Sequence, residues 1–176
     1  MTAEIKMRNA STGDQPAATE LGKKVIPDAA EMRWRLATIG IPTVVLRRWF
    51  PNDGAGQSPV NALQKMLSDG FHPMAYSMAV DLANSWDREF VDWASSHADR
   101  LPAAFLFETA RRVIDKDVAT GLNWFYAAAL RGDFEISVCT EEGADQGYAM
   151  IRAYTENGFR DRGVVTMYDQ FSASVE

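Results

Sequence analysis

The sequence predicts a mainly α-helical fold: an irregular bundle of five to seven helices around one buried aromatic helix, with room for a small accessory β element. Three observations point there. The run from Asp115 to Gly132, DKDVATGLNWFYAAALRG, is apolar on nearly every side. Val118, Leu122, Phe125 and Ala129 follow one face, while Trp124, Tyr126, Ala127, Ala128 and Leu130 cover most of the rest. A helix apolar all round is expected to be surrounded by other helices. Second, Met74, Met78, Leu82, Trp86, Phe90, Trp93 and His97 fall three or four residues apart, the spacing of one helical stripe. Third, helix starts and stops recur regularly from Ser58 onward.

Taken in order, residues 1–24 are polar and rich in Ala, Thr and Ser, and read as a mobile arm before a single domain over 25–176. Asp28 can cap a helix running to about Thr38, stopped by Gly40. Ile41–Phe50, IPTVVLRRWF, is the best strand candidate, being β-branched, aromatic and bounded by prolines. It fits an apolar loop packed on helices equally well. PNDGAGQ is a turn-rich connector. Ser58-Pro59 opens a helix that Gly70 closes, Pro73 opens the next, and Asn84-Ser85 is where the long stripe would bend or break. Pro102 restarts a helix to about Ile114, with Leu101, Phe105, Thr109 and Val113 inward. The aromatic helix follows, with Asp115 and Asp117 at its positive N-terminus and Gly132 as its stop. Phe134–Cys139 alternates like a strand but also prolongs that helix, and we read it as the latter. A last helix covers Ala144–Asn157, with Tyr148, Ile151 and Tyr154 inward and Gly158 at its end. Residues 164–171, VVTMYDQF, form a second strand candidate.

At 176 residues and 47% hydrophobic content the chain can bury a large core without disulfides or metal. Cys139 is the single cysteine, so no internal disulfide forms. The net charge of −6 is unevenly placed. Residues 1–88 carry ten Lys/Arg against nine Asp/Glu, whereas residues 89–176 carry eight against fifteen. The second half therefore disfavours nucleic acid and anionic membranes and favours a basic partner, although a solvated acidic face serves solubility as well. No stretch approaches the length of a membrane span. The opening residues lack an apolar signal core, so the expected location is cytoplasmic, with the periplasm open if a signal peptide was removed.

Catalytic material is thin. His97 lies on the aromatic stripe and reads as a half-buried, hydrogen-bonded core histidine, and His72 as a backbone partner at a helix entry. Two histidines and one cysteine cannot close a structural zinc site without carboxylates, and none of them has metal spacing. Cys139 precedes Thr140, Glu141 and Glu142, whose charges work against a thiolate, so it reads as a small core residue. Asp53–Ser58 places a glycine loop before a helix start, the arrangement that cradles phosphate. It lacks a third glycine and a Gly-Lys-Ser/Thr, however, and Pro59 occupies the first helical position. Asp81, Asp87, Glu89 and Asp92 are explained as polar-face residues and caps, and Arg47-Arg48 or Arg111-Arg112 could hold an anion.

Gly121–Asp133, GLNWFYAAALRGD, resembles one helix of a Sel1-type repeat, in which a Trp-Tyr pair precedes Ala-Ala and then Gly-Asp. Sel1 arrays use several such units and this chain has one, so no scaffold role is implied. The Trp124-Phe125-Tyr126…Leu130-Arg131 pattern also resembles small helical bacterial proteins, among them immunity proteins that neutralise toxins. That resemblance assigns no residue a role.

The expected function is a non-enzymatic protein-binding module, most concretely a bacterial immunity or inhibitor protein. It would present Glu141, Glu142 and Asp145 to the basic surface of a toxin or enzyme. Two alternatives stay open: a ligand-binding or enzymatic pocket near Trp86, Trp93, His97, Trp124 and Tyr126, or an accessory subunit exposing an apolar patch. No cofactor or metal is expected, and the sequence sets no oligomeric state.

Overall fold

Asp28 accepts a hydrogen bond from the Glu31 N–H at 2.9 Å and so opens the first helix, α1 (Ala29–Thr38), as a short polar side chain at that position should. The computed structural model describes residue 26, residues 28–140 and residues 143–167; the expected arm over 1–24 lies outside the described residues. Eight α-helices and two short 3₁₀ turns make up these residues, with no strand among them. The nearest approach to one is an isolated bridge between Ile26 and Leu82.

Ile41–Phe50 is corrected from strand to helix: α2 spans Thr43–Trp49. Strand propensity rewards a side chain that fits a pleated surface, and no second strand lies beside this segment among the described residues. Its backbone is satisfied locally instead. The Pro42 carbonyl accepts from the Val45 and Leu46 N–H groups at 3.0 and 3.1 Å. Leu46, Trp49 and Phe50 enter the core, whereas Val44 remains exposed.

The chain then turns through Pro51–Gly54, where Asn52 and Asp53 both have positive φ, at 54° and 58°. Gly54 is required by what it touches: a Cβ there would lie 2.9 Å from the backbone of Ala29 and Ala30. The turn is thus pressed against the start of α1 and is held there by Arg33 on Asp53 at 2.7 Å. Ser58 caps α3 (Pro59–Ser68) through the Val60 N–H, with Pro59 at the first position. Next comes α4 (His72–Asp81).

The long stripe breaks where the sequence allowed it. Leu82 is extended, a 3₁₀ turn occupies Asn84–Trp86, and α5 covers Asp87–Ser96. A helix that stops inside a protein leaves carbonyls needing donors. Arg112 supplies them: one of its terminal nitrogens donates to Ala79 O at 2.8 Å and Leu82 O at 3.2 Å.

Arg112 belongs to α6 (Ala103–Val113), and α6 is the true centre of the molecule. Nine of its 11 residues are buried, and it packs against α4, α5, α7 (Val118–Val138) and α8 (Ala144–Arg160). Asp117 caps α7 through the Thr120 N–H at 3.0 Å. The expectation of an all-round buried aromatic helix is corrected here. Only Gly121, Phe125, Ala128, Ala129 and Gly132 of α7 are buried, a single narrow face of mostly small residues. Small side chains let the neighbours approach closely. A Cβ on Gly121 would come within 3.1 Å of Ile114, and one on Gly132 within 1.9 Å of the Tyr148 ring. Gly132 therefore does not stop the helix. It continues through Phe134–Val138, as the helical reading of that segment expected.

The helix α8 also runs past its expected end, through Gly158 to Arg160. Its buried residues are Thr155, Glu156 and Phe159, and Tyr154 is corrected from inward to exposed. Phe125 joins the three central helices, its ring centroid 5.5 Å from Phe107 and 5.3 Å from Phe159. Of the strand candidate over 164–171, Val164, Val165 and Thr166 are irregular, and residues 168–171 lie outside the described residues.

Candidate partner-binding surface

Of the three carboxylates expected to meet a partner, Asp145 is exposed in the first turn of α8, while Glu141 and Glu142 lie outside the described residues. The exposed apolar residues of α7 and α8 were missed by sequence reasoning. On α7, Leu130, Phe134 and Val138 stand four residues apart and are 71%, 63% and 62% exposed. They form one ridge along the outer face of its C-terminal half. Met150 and Tyr154 of α8 are likewise exposed. The signal was present in α7: bulky residues at 130, 134 and 138 lie off the face of Gly121, Phe125, Ala128 and Gly132, and the latter allow closer packing.

Between the N-terminal end of α6, the C-terminal half of α7 and the first turns of α8 lies an apolar hollow of about 250 Å³. Ala103, Phe107, Gly132, Ile136, Cys139 and Tyr148 line it. Tyr148 is fixed by its hydroxyl, which donates to Ala129 O at 3.0 Å. Burial, and then the charge of Asp133, push that phenol up to about 12, so it stays protonated and a donor at neutral pH. Cys139, expected in the core, is instead exposed at this wall, because it is the cap residue just beyond the last turn of α7. Both carboxylate oxygens of Glu135 accept from the Ala103 N–H at 3.2 Å, closing the otherwise uncapped start of α6.

The other candidate residues take structural roles. His97 is half-buried, with Nδ1 2.9 Å from both Trp93 O and Ser96 Oγ, the hydrogen-bonded histidine expected. His72 is exposed at the start of α4. Trp93 is 8% exposed and packs against Phe90 and Phe105, while Trp86 lines a separate hollow with Asp28 and the Gly54–Ser58 loop. Trp124 and Tyr126 pack on the core from α7. These aromatic residues and His97 share none of the hollows described. At the glycine loop, the Ser58 hydroxyl donates to the Glu89 carboxylate, so a side-chain anion already stands where a phosphate would be held.

Arg111 and Arg112 are both spoken for. Glu108, 2% exposed, accepts from Arg111 Nε and a terminal nitrogen at 2.8 and 2.6 Å and from Arg112 Nε at 2.7 Å. Arg112 also donates to Asp87 and lies 5.1 Å over the Phe90 ring. The hydrogen bond that Arg111 itself donates to Glu108 is what most strongly holds it in its charged form. Tyr76, nearby on α4, has its phenol pushed up by burial first and by the Glu108 charge second. This network closes the core, and no ligand is needed to complete it.

Among the described residues no three His, Cys, Asp or Glu side chains are grouped so as to hold a metal ion, and no helix is long and apolar enough to cross a membrane. Comparisons with protein-family models, with curated proteins and with solved structures find no match to this chain.

Proposed function

We propose that this chain is a protein-binding module that blocks or escorts a basic partner, in its most concrete form an immunity or inhibitor protein directed at a bacterial toxin or enzyme. The observation that carries the reading is the exposed ridge of Leu130, Phe134 and Val138, with the exposed Asp133 on the same stretch of α7. Three large apolar side chains in one row on a solvent-facing helix cost solvation unless something covers them part of the time. Carboxylates beside such a ridge steer a cationic surface onto it and fix its register. The acidic excess of residues 89–176 acts in the same direction over longer range. The Trp-Phe-Tyr…Leu-Arg pattern of α7 adds the resemblance to immunity proteins.

The test starts with a pull-down from the native host at low and high salt, which identifies a stoichiometric partner. Its affinity is then measured with Glu141→Lys, Glu142→Lys and Asp145→Lys combined. Loss of about tenfold or more in affinity at low salt, shrinking at high salt, is expected. Unchanged affinity at low salt would sink the electrostatic part. The ridge also fits an accessory subunit of a larger assembly, and light scattering separates the two: a stable oligomer that Phe134→Ser dissolves favours the assembly.

A further inference from the structure

Resting on the binding-module reading, we infer that the hollow between α6, α7 and α8, on the other side of α7 from the exposed ridge, is an anchor socket and a second point of contact with the partner. It receives one large aromatic side chain from a segment of the basic partner, with Lys or Arg on either side of that residue.

The shape and the charge both point to this occupant. At about 250 Å³ the hollow has room for one large side chain, not for a helix face. Its walls are apolar: Ile136 on α7 and Tyr148 on α8 supply accessible aliphatic and aromatic surface, with Phe107 of α6 buried beneath them. Phe107 is fully buried behind Tyr148, the two ring centroids 5.9 Å apart and tilted by 47°, so an entering ring meets the Tyr148 ring, which Phe107 backs. The socket is preformed, because Tyr148 is held by Ala129 O and lies so close to Gly132 that it has nowhere to fall inward. A preformed pocket lowers the ordering cost of binding.

One carboxylate, Glu135, lies in the wall, held on the Ala103 N–H; Asp133 acts on the Tyr148 phenol, and the exposed Asp145 follows the wall residue Ala144 at the start of α8. The cations nearby have assigned work. Arg152 is on Glu156 at 3.0 Å, and Arg131 donates to the carbonyls of Ala98, Asp99 and Leu101. An anchor flanked by positive charge is therefore complementary in both respects, whereas an acidic or purely polar segment is not.

Three capped tripeptides serve as probes: Lys-Trp-Lys, Glu-Trp-Glu and Lys-Ala-Lys, each titrated into the ¹⁵N-labelled full chain at low salt. Saturable shifts at Gly132, Ile136 and Tyr148 are expected with Lys-Trp-Lys. Binding about threefold or more weaker is expected with Glu-Trp-Glu, and no saturable shift with Lys-Ala-Lys. Ala104→Trp, which fills the socket from its wall, should abolish the Lys-Trp-Lys shifts while the far-UV spectrum and denaturation midpoint stay near wild type. If that variant unfolds, Ala144→Leu is the second blocking substitution.

No saturable shift with Lys-Trp-Lys, or shifts centred elsewhere, overturns the inference. Equal binding of the acidic and basic peptides overturns its charge component. The two readings fail separately. Silent tripeptides with a partner still sensitive to charge reversal remove only the socket; a working socket with a charge-insensitive partner removes only the electrostatic reading of function.

Discussion

Gly132 shows how much one missing methyl group can control. Replacing it with Ala improves helix propensity by about 1 kcal/mol in isolation, yet the added Cβ would sit 1.9 Å from the Tyr148 ring. Overpacking typically costs about 1–3 kcal/mol, so Gly132→Ala is expected to lower the urea midpoint. In a Tyr148→Ala background the same change should become neutral or stabilising, and a cost that persists there would assign the effect to something other than the ring. Arg112 is the opposite case, a side chain that nothing smaller can replace. Arg112→Met leaves Glu108 and Asp87 without their shared cation, removes the side-chain donor from Leu82 O, and leaves Ala79 O with only the Leu82 N–H at 3.2 Å. Breaking a buried ion pair in this way costs about 3–5 kcal/mol, and thermal or denaturant unfolding will measure it. Sequence gave no hint of this, since Arg111-Arg112 reads identically whether it faces an anion in solution or Glu108 one turn earlier.

Elements were legible to the extent that their ends carry local chemistry. Asp28, Ser58 and Asp117 each cap the helix they were expected to cap, because an N-cap is decided within three residues. Glycines were less informative: Gly132 and Gly158 lie inside helices, since closeness to a neighbour asks for glycine as strongly as a stop does. α2 was misread because strand formation depends on a partner strand, which no window of ten residues can reveal. The capping and inter-helix carboxylates also predict a pH response. Asp117 is held below the usual carboxylate range by Thr120, and Asp115 by the Arg162 guanidinium that follows α8. Both release protons more readily folded than unfolded. Their stabilisation is complete above the unfolded value, about 3.9 for aspartate, and disappears as the pH falls through the lower folded value. Asp115→Asn should therefore be less stable than wild type at neutral pH, with the gap closing below about pH 4. A gap independent of pH would mean that the Arg162 pairing does not act in solution.

For the whole molecule, α6 is the element around which burial is organised, and its amides are expected to exchange most slowly. Those of Phe134–Val138 in α7, on the exposed end of that helix, should exchange faster. Uniform protection along α7 would argue that this segment is covered in solution, as a stable oligomer would cover it. The helical class was readable from stripes and caps alone. The location of the centre was not, because α7 looks more apolar than α6 on paper while α6 buries even Glu108 and Arg112. The socket was invisible for a related reason: Phe107, Gly132 and Tyr148 come from three helices and meet only when those pack. The broken end of α4 is closed by a residue 33 positions further along the chain. During synthesis, the first hundred residues therefore leave the ribosome with that helix end still open to water, and they acquire their final shape only once α6 has emerged to dock against them.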